Sequence, residues 1–279
     1  MGKPQFLVIL LGVVFLFALF KFGNTIPPKK QQPSSQSMSM PVGLTFEQYE
    51  NIQMNATEAT LTAKINQEKQ KLLQSSITAT QKEAIYRSIA DLWQKQGNIP
   101  LTAYYSYLLA QVKNTKEGYI NAANNFFIAF TEQNDTLIQQ NVINFALSSY
   151  EEAQKRGDTG DELKIKIARL YVQGTGEPMK GIGILREIIQ KDSTNVPALV
   201  ELGRLSIMSG QFENAVQRLE AALKIEPQNA EALYFLALSN EGMGKKDLAI
   251  KQLEMCKLLV ANEDFNKEID EYILNLKNK

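Results

Sequence analysis

Three glycines, Gly176, Gly210 and Gly244, stand 34 residues apart, and the residues around them recur in step. Ala215 aligns with Gly181 and Ala249, Leu219 with Leu185 and Leu253, and Ala222 with Ile188 and Cys256. In the segment before each glycine, Leu199 aligns with Ile165 and Leu233, and Leu202 with Ala168 and Leu236. Size and polarity class persist across three copies, which marks a chain built by stacking one supersecondary unit. One such unit cannot bury its own apolar face, so its neighbours must do so.

The stretch 210–233, GQFENAVQRLEAALKIEPQNAEAL, shows how a unit is made. Gly210 suits a tight turn, the residues after it are apolar at helical spacing, and Pro227 closes the helix before Ala230 opens another. Ala215 and Ala222 are small enough for close helix approach, while Leu199, Leu202 and Leu219 fill the space between. Elsewhere, turn residues punctuate helical patterning at Gly97-Asn98, Asn134-Asp135 and Gly157-Asp158, and no alternating β-branched run argues for strands. TQKE at Thr80 reads as a capping box that opens a helix. DLWQKQGNIPLTAYYSYLLA, 91–110, repeats the two-helix idea around Gly97, but Ala103, Tyr107 and Ala110 align only with one extra residue in the turn. GYINAANNFFIAFTEQNDTLIQQNVINFALSSYEEAQKRGD makes a longer, divergent pair. At the end, Phe265, Ile269, Tyr272, Ile273 and Leu276 line one face of a closing helix.

These residues resemble the tetratricopeptide repeat family. Its pattern is met in 196–229 by Leu199, Leu202, Gly203, Gly210, Ala215, Leu219, Ala222 and Pro227, with Ser206 replacing the usual aromatic. It is met in 230–263 by Leu233, Leu236, Ala237, Gly244, Ala249 and Leu253. The unit 162–195 departs from it at Arg169 and Ser193, and its turn is similar to the related Sel1-type repeat. The resemblance implies an all-α, right-handed α-solenoid of about five helix pairs over 82–263. A helical segment (44–81) precedes it and a capping helix (264–279) follows. It also implies a groove lined by the first helix of each unit, which places Val200, Arg204, Ile207 and Met208 beside Tyr234, Leu238 and Glu241. Those residues are the expected partner-binding set, facing a protein or peptide segment. Some family members clamp a C-terminal carboxylate there. Lys166 fits one such position, whereas Leu170, Glu201 and Glu231 do not, so an extended or helical occupant is the better expectation.

FLVILLGVVFLFALF, Phe6 to Phe20, is uninterrupted apolar sequence. With its flanks it reaches about 28 Å, enough for a membrane span, and 1–23 reads as a signal-anchor. The alternative is a cleaved signal peptide, but no small-x-small site follows and Pro27-Pro28 is unfavourable for cleavage. Residues 24–43, rich in Pro, Ser and Gln, read as a flexible tether. This layout is similar to the periplasmic accessory subunits of the Sec translocon. It implies a single-pass inner-membrane scaffold whose exported domain assists protein export, folding or assembly. The alternative is a cytoplasm-facing adaptor for a membrane complex.

The composition excludes several chemistries. Lys+Arg and Asp+Glu are both 30, so no basic excess is available to neutralise phosphates, and no nucleic-acid partner is expected. No histidine is present, which removes imidazole-based acid–base and zinc schemes. Cys256, the single cysteine, can form neither an internal disulfide nor a thiolate zinc site; its register makes it a packing residue. GTGEPMKGIG lacks the GK[ST] of a phosphate loop. The acidic pairs Glu151-Glu152 and Asp161-Glu162 read as helix-end charges. AYYSYLL, with Tyr104, Tyr105 and Tyr107, must point several ways, so part of it is core and part is open to recognition. No catalytic residue, metal or cofactor is expected.

Overall fold

The computed structural model describes residues 44–132 and 135–278, and within that unit every regular element is a helix. Two helices, α1 (Phe46–Ala56) and α2 (Ala59–Lys71), precede five helix pairs. The pairs are α3 (Ala79–Lys95) with α4 (Ile99–Lys113), α5 (Lys116–Glu132) with α6 (Gln139–Lys155), and α7 (Asp161–Gly174) with α8 (Pro178–Lys191). They continue with α9 (Val196–Met208) and α10 (Phe212–Ile225), then α11 (Ala230–Gly242) and α12 (Lys246–Leu259), before α13 (Glu263–Asn278) packs on the end.

The turns repeat because the same backbone problem recurs. Gly97, Gly176, Gly210 and Gly244 all have φ between 72° and 75°, a left-handed region that costs a side chain and is free to glycine. After Gly210 and Gly244, the N–H groups of Gln211 and Lys245 reach back five residues to the carbonyls of Ser206 and Asn240, both at 2.8 Å. This is the helix stop that satisfies otherwise orphaned carbonyls. The starts repeat too. The Asn195 and Asn229 side chains accept from the N–H groups of Ala198 and Ala232 at 3.0 and 2.8 Å, capping α9 and α11.

Two local expectations are corrected. The capping box of α3 sits at Thr78, not Thr80: Thr78 Oγ1 accepts from Gln81 N–H at 3.2 Å, and Gln81 Oε1 accepts from Thr78 N–H at 2.8 Å. Both threonines have the required spacing, and the earlier one adds a further half-turn to the helix. The turn at Gly97 holds no extra residue, since α4 starts two residues after its glycine as α10 does after Gly210. The altered register has a different cause. α4 buries Leu101 and Tyr105 besides Ala103 and Ala110, because α1 packs on it in addition to α3 and α5.

Ala215, Ala222, Ala249, Leu219 and Leu253 are all sealed from solvent at the repeat interfaces. Each buried leucine contributes about 1.5–3 kcal/mol by leaving water. α7 is apolar on two faces: Leu163, Ile167 and Leu170 join the core of the preceding helices, while Ile165 and Ala168 pack with α8 and α9. It is the joint between the divergent pairs and the regular ones.

The expected span over 1–23 and tether over 24–43 lie outside the described residues. Among the described residues, no helix is long and apolar enough to cross a membrane. The single-pass inner-membrane placement with a periplasmic domain is corrected on that finding.

Candidate functional site

The first helices of the regular pairs carry a charged array centred on Glu201. This residue is 0% exposed, although its position on α9 faces neighbouring first helices rather than α10. Its carboxylate accepts from Arg169 Nε of α7 at 2.7 Å and from Arg204 Nε, one turn along α9, at 3.2 Å. A second, shorter contact comes from the Arg204 guanidinium. The Gln173 amide, with its oxygen turned toward Arg204, accepts at 2.8 and 2.7 Å. Arg169 also lies 3.6 Å from Glu231 of α11. Charges of alternating sign thus link three successive repeats across one face. A buried carboxylate is tolerated only where donors replace its lost hydration, and two guanidinium groups supply them here.

The expected groove residues fall into two groups. Val200 is 1% exposed and belongs to the core shared by α9, α10 and α11, so its side chain is not presented to a partner. Ile207 is half-buried on the same cluster. Arg204 and Met208 touch, with Nη1 donating to Sδ at 3.2 Å, and Met208 is 63% exposed. In the second group, Tyr234 is half-buried against Phe235 and Phe265, at ring separations of 5.7 and 6.5 Å. Glu241 accepts from the Tyr272 hydroxyl of α13. Burial, and then this hydrogen bond to a carboxylate, holds the phenol neutral above its ordinary range. Leu238 is half-buried between them on α11. Lys166, the one residue that fits a carboxylate clamp, already donates to Asn124 Oδ1 at 3.0 Å and pairs with Glu162 at 2.9 Å.

A second constellation, absent from the expected set, holds α1. The Phe46 ring stacks on Tyr104 at 4.5 Å and 6°, and meets Phe145 edge-on at 5.2 Å and Phe126 at 5.7 Å. The Tyr49 hydroxyl donates to Asp135 at 2.9 Å, and Tyr104 donates to Glu47 at 2.6 Å. Glu50, 2% exposed, accepts from Trp93 Nε1 at 3.1 Å, Tyr105 OH at 2.8 Å and Lys69 Nζ at 2.6 Å. The phenols of Tyr49 and Tyr105 are held neutral above their ordinary range, first by burial and then by the carboxylates they face. The hydrogen bond from Tyr104 in turn lowers the pKa of Glu47. The tyrosine run AYYSYLL therefore does recognise something, and that something is the chain's own α1. Its aromatic density was the available signal; the acids it reads lie some fifty residues away and leave no local trace.

Cys256 is buried, donates from Sγ to the Ala230 carbonyl at 3.3 Å, and has its thiol pKa raised by burial. Among the described residues no group of three or more acidic or cysteine side chains could hold a metal ion.

Residues 175–238 and 206–264 match the tetratricopeptide repeat model. No curated protein matches the sequence. Among solved structures, the chain is similar to a thermophilic TPR protein from Thermus thermophilus, with 16% identity and a TM-score of 0.50 over 69% of this chain and 99% of that one. It is also similar to the Cut9–Hcn1 hetero-tetramer of the APC/C, with 14% identity and a TM-score of 0.52 over 82% of this chain and 41% of that one. At such identities the likeness concerns the fold alone. Residues 175–264 carry tetratricopeptide repeats, and the described helices have the fold of a tetratricopeptide-repeat protein.

Proposed function

We propose that this chain is a non-catalytic scaffold that binds a protein or peptide segment along the first helices of its regular repeats. The carrying observation is the face itself. The Arg169–Glu201–Arg204–Glu231 array runs across α7, α9 and α11, with the exposed Met208 at its side. Buried Glu201 holds both guanidinium groups in place, so a ligand meets a surface with little side-chain entropy left to lose. Because the two arginines are already balanced by Glu201 and Glu231, and Lys166 by Glu162, the face suits an extended or helical segment with mixed polar and apolar groups rather than a bare terminal carboxylate. Tetratricopeptide folds serve as interaction scaffolds, in line with this reading.

A photoreactive amino acid placed at Met208 or Leu238 tests it in intact cells. Discrete protein adducts are expected at both positions and not at Leu258, which is 87% exposed on α12. Equal labelling from all three would remove the support for this face.

A further inference from the structure

We infer that the seat holding α1 is an exchangeable recognition site for a helix bearing an aromatic residue, an acid one position on, and an aromatic and an acid three and four positions on. In the free chain it is filled by the chain's own Phe46, Glu47, Tyr49 and Glu50. Three observations support this.

The rings of the seat hold one another as well as Phe46. Tyr107 packs on Phe145 at 5.0 Å, Phe126 on Phe145 at 5.6 Å and Tyr104 on Phe145 at 5.9 Å, so the rings brace one another with Phe46 left out of the account. The seat also reads chemistry as well as shape. Trp93 Nε1 and Tyr105 OH are buried donors converging on one carboxylate, and a helix lacking that acid leaves both unpaired. Finally, the attachment of the arm formed by α1 and α2 is concentrated in a short list of residues. Of its residues only Phe46, Tyr49, Glu50 and Ile65 are buried, and a pocket of about 400 Å³ floored by Ile77, Ala84 and Ile85 opens between α2 and α3. A tethered helix of this kind acts at an effective concentration on the order of millimolar, so a partner helix binds once the arm is weakened or outcompeted.

A fluorescent peptide of residues 44–58, titrated into the full chain and followed by anisotropy, tests the inference. Trp93, the sole tryptophan, reports whether the arm has left. The peptide is expected to bind the Phe46→Ala chain at least about tenfold more tightly than the native chain. It should bind the Tyr49→Phe chain about fivefold more tightly, the equivalent of one hydrogen bond. A peptide carrying Phe46→Ala is expected to bind none of them. Equal binding to all three chains overturns the inference, as does undiminished binding of the substituted peptide. So does an absence of binding to the Phe46→Ala and Tyr49→Phe chains, whether or not Trp93 emission shows the arm released. Should the Phe46→Ala chain lose its helical circular dichroism, Tyr49→Phe carries the comparison, because it removes a single hydroxyl.

Discussion

Replacing Glu201 by alanine is the sharpest test of the charged array. The substitution deletes a fully buried carboxylate bound by Arg169 at 2.7 Å and by Arg204 at 3.2 Å and a second, shorter contact. It leaves Arg169 with Glu231 at 3.6 Å and Arg204 with the Gln173 amide. Removing one partner of a buried ion pair costs about 3–5 kcal/mol. The Arg169 and Arg204 side chains keep 31% and 17% of their exposure, so water can solvate them again, and the lower end, about 3 kcal/mol, applies. For a body of this size that is a fall in Tm of about 6–12 °C. The loss acts on the contact between repeats rather than within one. In a stack stabilised by nearest-neighbour terms, hydrogen exchange should therefore rise first in α7 to α9, with α12 and α13 following only at global unfolding. A cycle of Arg169→Ala, Glu201→Ala and the double substitution, measured by urea denaturation, should show a coupling of at least about 1 kcal/mol. Additive single effects, or a Tm within about 2 °C of the parent, would refute the reasoning.

Other consequences follow from particular atoms. A Cβ on Gly181 would lie 2.4 Å from the Ala168 carbonyl oxygen, so Gly181→Ala must push α8 off α7; a loss of about 2–3 kcal/mol is expected by thermal melting, and an unchanged melt would show that the helices give way freely. The buried phenols of Tyr49 and Tyr105 titrate above their unfolded value near 10. Their contribution is complete below that pH and falls as pH rises through it, by about 2.7 kcal/mol per pH unit for the two together. Trp93 emission should therefore report release of α1 at alkaline pH, earlier than loss of helix in α9 to α12. The Cys256 thiol, buried and raised in pKa, should react with a disulfide reagent only as fast as its repeat opens, so labelling in the native state that matches a free thiol would contradict its packing.

How much of this was legible in the sequence depends on how far each interaction reaches. The period of 34 residues set by Gly176, Gly210 and Gly244 determined the helix pairs, because turn geometry, capping and the packing of Ala215, Leu219 and Ala222 against adjacent helices are local and recur with the unit. Arg169 stood out as a departure from a small residue, but the departure carried no partner with it. Only the tertiary structure brought it to Glu201, 32 positions on, because whether two side chains on successive repeats meet depends on how each helix is rotated in the stack. The same holds more strongly at the other end. Glu50 meets Trp93 and Tyr105, 43 and 55 residues away, in a seat assembled from helices outside the regular period. A repeat can be read from one chain because each unit restates the same local physics. A site built where the repetition stops is specified by long-range packing, and its residues become neighbours only after folding.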